Sequence, residues 1–112
     1  MQPVTLKKNR EFRIVYSHGK SYATPLIAGV WLTRKFGGIK VGFSVSKKIG
    51  CSVKRNRIRR QLREAFRALL PDCDTNQSRH IIFIARKPIT DASFAEMKRD
   101  IAKIVRKAGA LH

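Results

Sequence analysis

Between Lys54 and Arg67 the chain reads KRNRIRRQLREAFR, seven Lys or Arg in fourteen residues offset by one acid, Glu64. A segment so charged can be ordered only if its few apolar residues share one side. On a helix, at about 100° per residue with Ile58 at the origin, Leu62, Ala65, Phe66 and Leu69 lie within about 80° of it. That stripe is the side that packs. Asn56, Arg60, Arg63 and Arg67 lie within about 40° of the opposite pole, flanked by Arg57 and Arg59, and form an outward ridge. The spacing predicts a helix over residues 54–70, halted by Pro71.

An ordinary solvated helix alternates Glu with Lys, since like charges three or four apart cost a few tenths of a kcal/mol per pair. This ridge does not alternate. Lys54 and Arg55 also stand at the positive end of the helix dipole, where cations are disfavoured and anions favoured. Arg grips a phosphate through two hydrogen bonds or stacks on a base. The segment therefore reads as a phosphate-binding helix rather than a merely solvated one. Just upstream, SVSKKIG adds Lys47 and Lys48 to the same positive surface.

The rest of the composition agrees. The net charge is +18 over 112 residues, and residues 12–63 carry thirteen Lys or Arg and no acid. Self-repulsion on that scale implies a polyanionic partner. The length fits a single RNA-binding domain over residues 1–112 with one core. No stretch reaches the roughly 18 apolar residues of a membrane span, and the N-terminus lacks the apolar segment of a signal peptide. A cytoplasmic protein that engages no membrane is expected, with Cys51 and Cys73 as reduced thiols.

Elsewhere the pattern predicts a first helix in NREFRIVYSHG, capped by Asn9 and closed by a left-handed Gly19, with Phe12, Val15 and Tyr16 on one face. TPLIAGVWLT and IKVGFSVSK read as strands joined through RKFGGIK into a hairpin, with one more short strand allowed between residues 27 and 40. In the second strand Val41, Phe43 and Val45 point one way, whereas Gly42, Ser44 and Ser46 make an open floor of small residues on the other. HIIFIAR is apolar on both faces and suits a central strand. SFAEMKRDIAKIVRKAG opens with a capping box, Ser93 to Glu96, and places Phe94, Met97, Ile101, Ile104, Val105 and Ala108 on one stripe. The expected architecture is α+β, a two-layer α/β sandwich with helices on a small mixed sheet.

A protein nuclease would bring carboxylates together for metals, or histidines as acid and base. Asp72 with Asp74 and Glu96 with Asp100 are the close acidic pairs, and His18, His80 and His112 fall in unrelated places, so no catalytic or metal site of the protein's own is expected. Phe12 and Tyr16, one turn apart, suit either the core or a stacking platform for single-stranded bases.

Taken together, GFSVSKKIGCSVKRNRIRRQLREAFR, REFRIVYSHGKSY and IIFIARKP closely resemble the bacterial ribonuclease P protein component, over most of residues 7–107. The family's Arg-Asn-Arg hallmark is matched by Arg55, Asn56 and Arg57. The resemblance implies a cofactor of a catalytic RNA that uses Mg²⁺, held mainly by the RNA, to remove the 5′ leader of precursor tRNA. No obligate protein partner is expected. It further implies that Lys47, Lys48, Lys54, Arg55, Asn56, Arg57, Arg59, Arg60, Arg63 and Arg67 face the catalytic RNA. The leader would lie between the first helix and the sheet, against Phe12, Tyr16, Val30, Ser44 and Ser46. Some relatives carry an aromatic on the first strand; here the nearest positions are Val30 and Trp31. The family fold also implies a left-handed βαβ crossover through the basic helix. A general RNA-binding protein, such as one associated with the ribosome, is the alternative.

Overall fold

The apolar run Arg79–Ala85 becomes the centre of the molecule. In a computed structural model, which describes residues 4–6, 9–35, 37–74 and 76–110, the chain runs β1 (Val4–Thr5), α1 (Asn9–His18), β2 (Lys20–Ala23), β3 (Ile27–Thr33), β4 (Ile39–Ser44), α2 (Ser52–Arg67), β5 (Arg79–Ala85) and α3 (Phe94–Lys107). The five strands form one mixed sheet in the order β1-β4-β5-β3-β2. Strand β5 pairs parallel to β4 and antiparallel to β3, so Ile81, Ile82 and Phe83 are wholly buried, as expected of a strand covered on both faces.

This arrangement overturns the expected hairpin of β3 and β4, because β5 lies between them. The Gly37–Gly38 turn, with positive φ at both glycines, does connect the two strands, but it spans the start of β5. Arg34 N–H donates to the Ser78 carbonyl at 2.9 Å and Gly38 N–H to Ser78 Oγ at 3.1 Å. Phe36 in this turn lies outside the described residues. The hairpin actually present joins β2 to β3. The additional strands, β1 and β2, fall outside residues 27–40. β2 is exposed along its whole length and so carries no alternation for a sequence pattern to register.

Side chains alternate across the sheet and divide the apolar residues between two clusters. Val41, Ile81, Phe83, Ile27 and Trp31 face α2 and α3, where they meet Ile58, Leu62, Phe66, Met97, Ile101, Ile104 and Val105 in the main core. Ile82 faces the other way and packs with Val15 and Leu6 beneath α1, with Phe12, Val30, Leu32 and Ile84 around them. The mixed α+β architecture is thus as expected. Two helices cover one face and α1 lies across the other.

Local boundaries depart from expectation in instructive ways. Helix α2 begins at Ser52 and ends at Arg67, followed by a 3-10 turn over Leu70–Asp72 that absorbs Pro71. Asn9 is already the first residue of α1, so it does not cap it. Gly19 has no positive φ. Its requirement is space: a Cβ there would come within 2.5 Å of the Val15 carbonyl oxygen and 2.6 Å of that of Trp31. In α3 the capping box forms, with Ser93 Oγ accepting from Glu96 N–H at 3.2 Å and Glu96 Oε1 accepting from Ser93 N–H at 2.9 Å. The Ser93 N–H, and then the Ser93 hydroxyl, hold the Glu96 carboxyl below its usual pKa. Phe94, expected on the buried stripe, is exposed at the helix start, with the Lys98 ammonium over its ring.

Candidate nucleic-acid interface

The basic helix meets the main core through Ile58, Leu62, Ala65 and Phe66, all buried. These are the residues of the sequence-derived stripe, with Leu69 partly buried beside them. The opposite side presents Asn56, Arg57, Arg60, Arg63 and Arg67, all exposed. Arg67 is neutralised in part by Glu64, its Nη1 lying 3.2 Å from Oε2. Arg57, Arg60 and Arg63 have no acidic partner among the described residues.

Two further arginines of the segment shape it. Arg55 is half-buried and turned back, Nε donating to the Gly50 carbonyl at 3.2 Å and Nη2 to Ser52 Oγ at 3.1 Å. It ties the loop before α2 to the helix's first turn. Arg59 Nη1 donates to Asn56 Oδ1 at 2.9 Å, orienting the amide of the Arg-Asn-Arg run. Lys54 lies partly buried against Gly50. Lys47 and Lys48 stand exposed on the 3-10 turn Lys47–Ile49, which Ile49 pins to the core. The first turn of α2 contains no acid, and Cys51 occupies its N-cap. The Lys54 amide there lowers the Cys51 thiol pKa, with burial opposing. Cys73 is the contrary case: burial, then Asp72, pushes its thiol up. Both cysteines are free.

A second surface lies on the sheet face under α1. Cross-strand register places Gly42, Ile82 and Val30 in one row, and Ser44, Ile84, Ala28 and Ala23 in the next. α1 covers the first row. Phe12 sits directly over Gly42, where a Cβ would come within 2.6 Å of its ring. Tyr16 follows one turn later, 46 % exposed, its ring centroid 6.4 Å from that of Phe12. The second row is only partly covered, with Ser44, Ile84 and Ala28 half-buried and Ala23 exposed, a strip about 14 Å wide across four strands in which Ile84 is the one large side chain and the two aromatics lie along one margin.

Of the positions expected to line this cleft, Phe12, Tyr16, Val30 and Ser44 come together. Ser46 does not join the row: β4 ends at Ser44, and Ser46 leads into the turn that carries Lys47 and Lys48. Trp31 is excluded as a wall of the cleft because it points into the core on the opposite face. Sequence reasoning missed Ile84, Ala28 and Ala23. Their sharing of a row with Ser44 depends on strand pairing, which no single segment announces.

Among the described residues no three of His, Cys, Asp and Glu come together as a metal-binding group. Asp100 is buried near Arg99, with Nε 3.8 Å from Oδ1, and Glu96 is engaged in its capping box, so that acidic pair serves α3. His112 lies outside the described residues. No helix is long and apolar enough to cross a membrane, among the described residues.

Comparison with known proteins gives a consistent result. The family model "Ribonuclease P" matches residues 1–109. The ribonuclease P protein component of Thermoanaerobacter pseudethanolicus is 44% identical over 104 residues, covering 93% of this chain and 88% of that one. That of Clostridium kluyveri is 39% identical over 110 residues, covering 97% of each. Among solved structures, the Staphylococcus aureus RNase P protein superposes with a TM-score of 0.85 at 28% identity, over 99% of this chain and 100% of that one. The Thermotoga maritima RNase P protein shares the fold, with a TM-score of 0.82 at 20% identity over 92% and 96% of the two chains.

Proposed function

The chain belongs to the ribonuclease P protein family, and we propose that it binds the catalytic RNA through α2 and the 5′ leader of precursor tRNA through the cleft beside α1. In this reading the RNA performs the cleavage and the protein carries no catalytic group. The observation that supports it most is the pairing of a whole-length family match with exposed, acid-free Arg57, Arg60 and Arg63 on a helix anchored by its other side. Lys47, Lys48, Lys54, Asn56, Arg59 and Arg67 extend the same surface. Arg55 contributes mainly by fixing the loop from which Lys47 and Lys48 project.

The cleft suits a single strand on chemical grounds. Phe12 and Tyr16 offer ring faces to bases, and the strip of Ser44, Ile84, Ala28 and Ala23 offers room without sequence-reading groups. Val30 lies under this margin, where an aromatic would add a third platform. The described carboxylates do not converge as a metal centre, so Mg²⁺ is assigned to the RNA and no step is routed through the protein.

The test is reconstitution. Adding the protein to its cognate ribonuclease P RNA should permit precursor tRNA cleavage at low Mg²⁺, where the RNA alone is slow, and the protein alone should leave the substrate intact. Absence of stimulation, with tight binding to unrelated RNA, would instead identify a general RNA-binding protein.

A further inference from the structure

Helix α1 divides its face of the sheet, and the side away from the cleft holds a different chemistry. A cavity of about 380 Å³ there is lined by Arg10, Glu11 and Ile14 from α1, Arg34 after β3, Lys40 of β4 and His80 of β5. Lys40 and His80 are direct cross-strand partners, so two basic side chains leave the sheet side by side. Arg34 is fixed next to them by its N–H to the Ser78 carbonyl. Three permanent cations meet a single acid, Glu11, leaving an excess of positive charge in a half-enclosed space. Arg10 and Glu11, which line the cavity, belong to the first turn of α1, the positive end of its dipole.

We propose that this cavity is a phosphate-binding pocket, separate from the α2 ridge and from the Phe12–Tyr16 cleft, that takes one phosphate group, either of an RNA backbone or of a free anion. Lys40 and Arg34 supply the charge, and His80 supplies a hydrogen-bond donor from the floor. Burial and Arg34, reinforced by Lys40 and opposed by Glu11, hold the His80 imidazole below its ordinary value in the empty pocket. A bound phosphate reverses the balance and favours the protonated ring. The groups facing His80 are Lys40 on β4, Leu32 on β3, Arg34 beyond it, and Arg10 and Glu11 on α1. The inference stands independently of the ribonuclease P reading, because its first probe is inorganic phosphate.

The full chain, isotope-labelled at histidine, is titrated with pH in chloride buffer, then with inorganic phosphate, then with a single-stranded oligoribonucleotide. His80 is assigned by its loss in His80→Gln. Both ligands should raise the His80 midpoint, and Lys40→Gln with Arg34→Gln should weaken phosphate binding on the order of tenfold while leaving the fold intact by circular dichroism. A response to the oligoribonucleotide at much lower concentration than to phosphate assigns the pocket to RNA. A response to phosphate alone assigns it to a free anion. A midpoint unmoved by either ligand, or raised equally in the double variant, overturns the proposal.

Discussion

The two surfaces proposed to meet RNA are built on opposite principles. The α2 ridge is one continuous segment whose charge is displayed and whose apolar side is hidden, so a single helix carries the whole device. The cleft beside α1 is assembled from five separate elements, with Phe12 and Tyr16 from a helix, Ser44 from β4, Ile84 from β5, Ala28 from β3 and Ala23 from β2. Its chemistry is apolar and shape-dependent. One surface therefore depends on charge and tolerates local disturbance, whereas the other depends on the sheet being in register.

The largest effect that would break this contrast is in the core under the cleft. Ile82→Ala removes a wholly buried side chain from the small cluster beneath α1 and should cost about 2–5 kcal/mol in urea unfolding. Leader affinity should fall in the folded fraction while the salt dependence of binding to the catalytic RNA stays unchanged. Next, Arg57→Ala, Arg60→Ala and Arg63→Ala combined should weaken catalytic-RNA binding by about 1 kcal/mol each, on the order of a hundredfold together. The salt slope should flatten by about one unit per arginine, with thermal stability preserved. Tyr16→Ala comes third. It should remove about 1–3 kcal/mol of affinity for substrates with long leaders, with no change in salt slope. If the arginine and tyrosine variants affect the same step, the two surfaces are not distinct.

The smallest effect concerns pH. The folded-state pKa of His80 lies below its ordinary value of 6.5, so the unfolded chain takes up this proton first. The stabilisation is complete above about 6.5 and is lost as pH falls through the folded-state value. Denaturant midpoints measured across that window should show a slope that His80→Gln removes.

What could be read from the sequence follows the same division. The α2 ridge, its buried stripe, the central placement of β5 and the capping box of α3 each lie within one segment, so periodicity and local chemistry reveal them. The pairing of β3 with β5 rather than β4 is a long-range choice. The alternation in Ile39–Ser44 states which face is buried but not which neighbour it will take. Hence Ser44 was identifiable as floor, while Ala28 and Ile84 were not. Gly19 is a similar case. Its place after a helix suggests a left-handed cap, but the constraint comes from the Trp31 carbonyl, brought close by the β2–β3 hairpin.

The insertion of β5 between β3 and β4 also has a consequence for synthesis. Because the sheet's central strand arrives only after α2, neither β3 nor β4 has its main partner until residue 85 has been made. Such non-local pairing slows folding and leaves strand edges open in the interval. A nascent chain that has emerged as far as α2 thus presents its full basic segment before the cleft exists. On the proposed reading, affinity for polyanions would precede selectivity in the life of each molecule, and an RNA met during translation would encounter the first without the second.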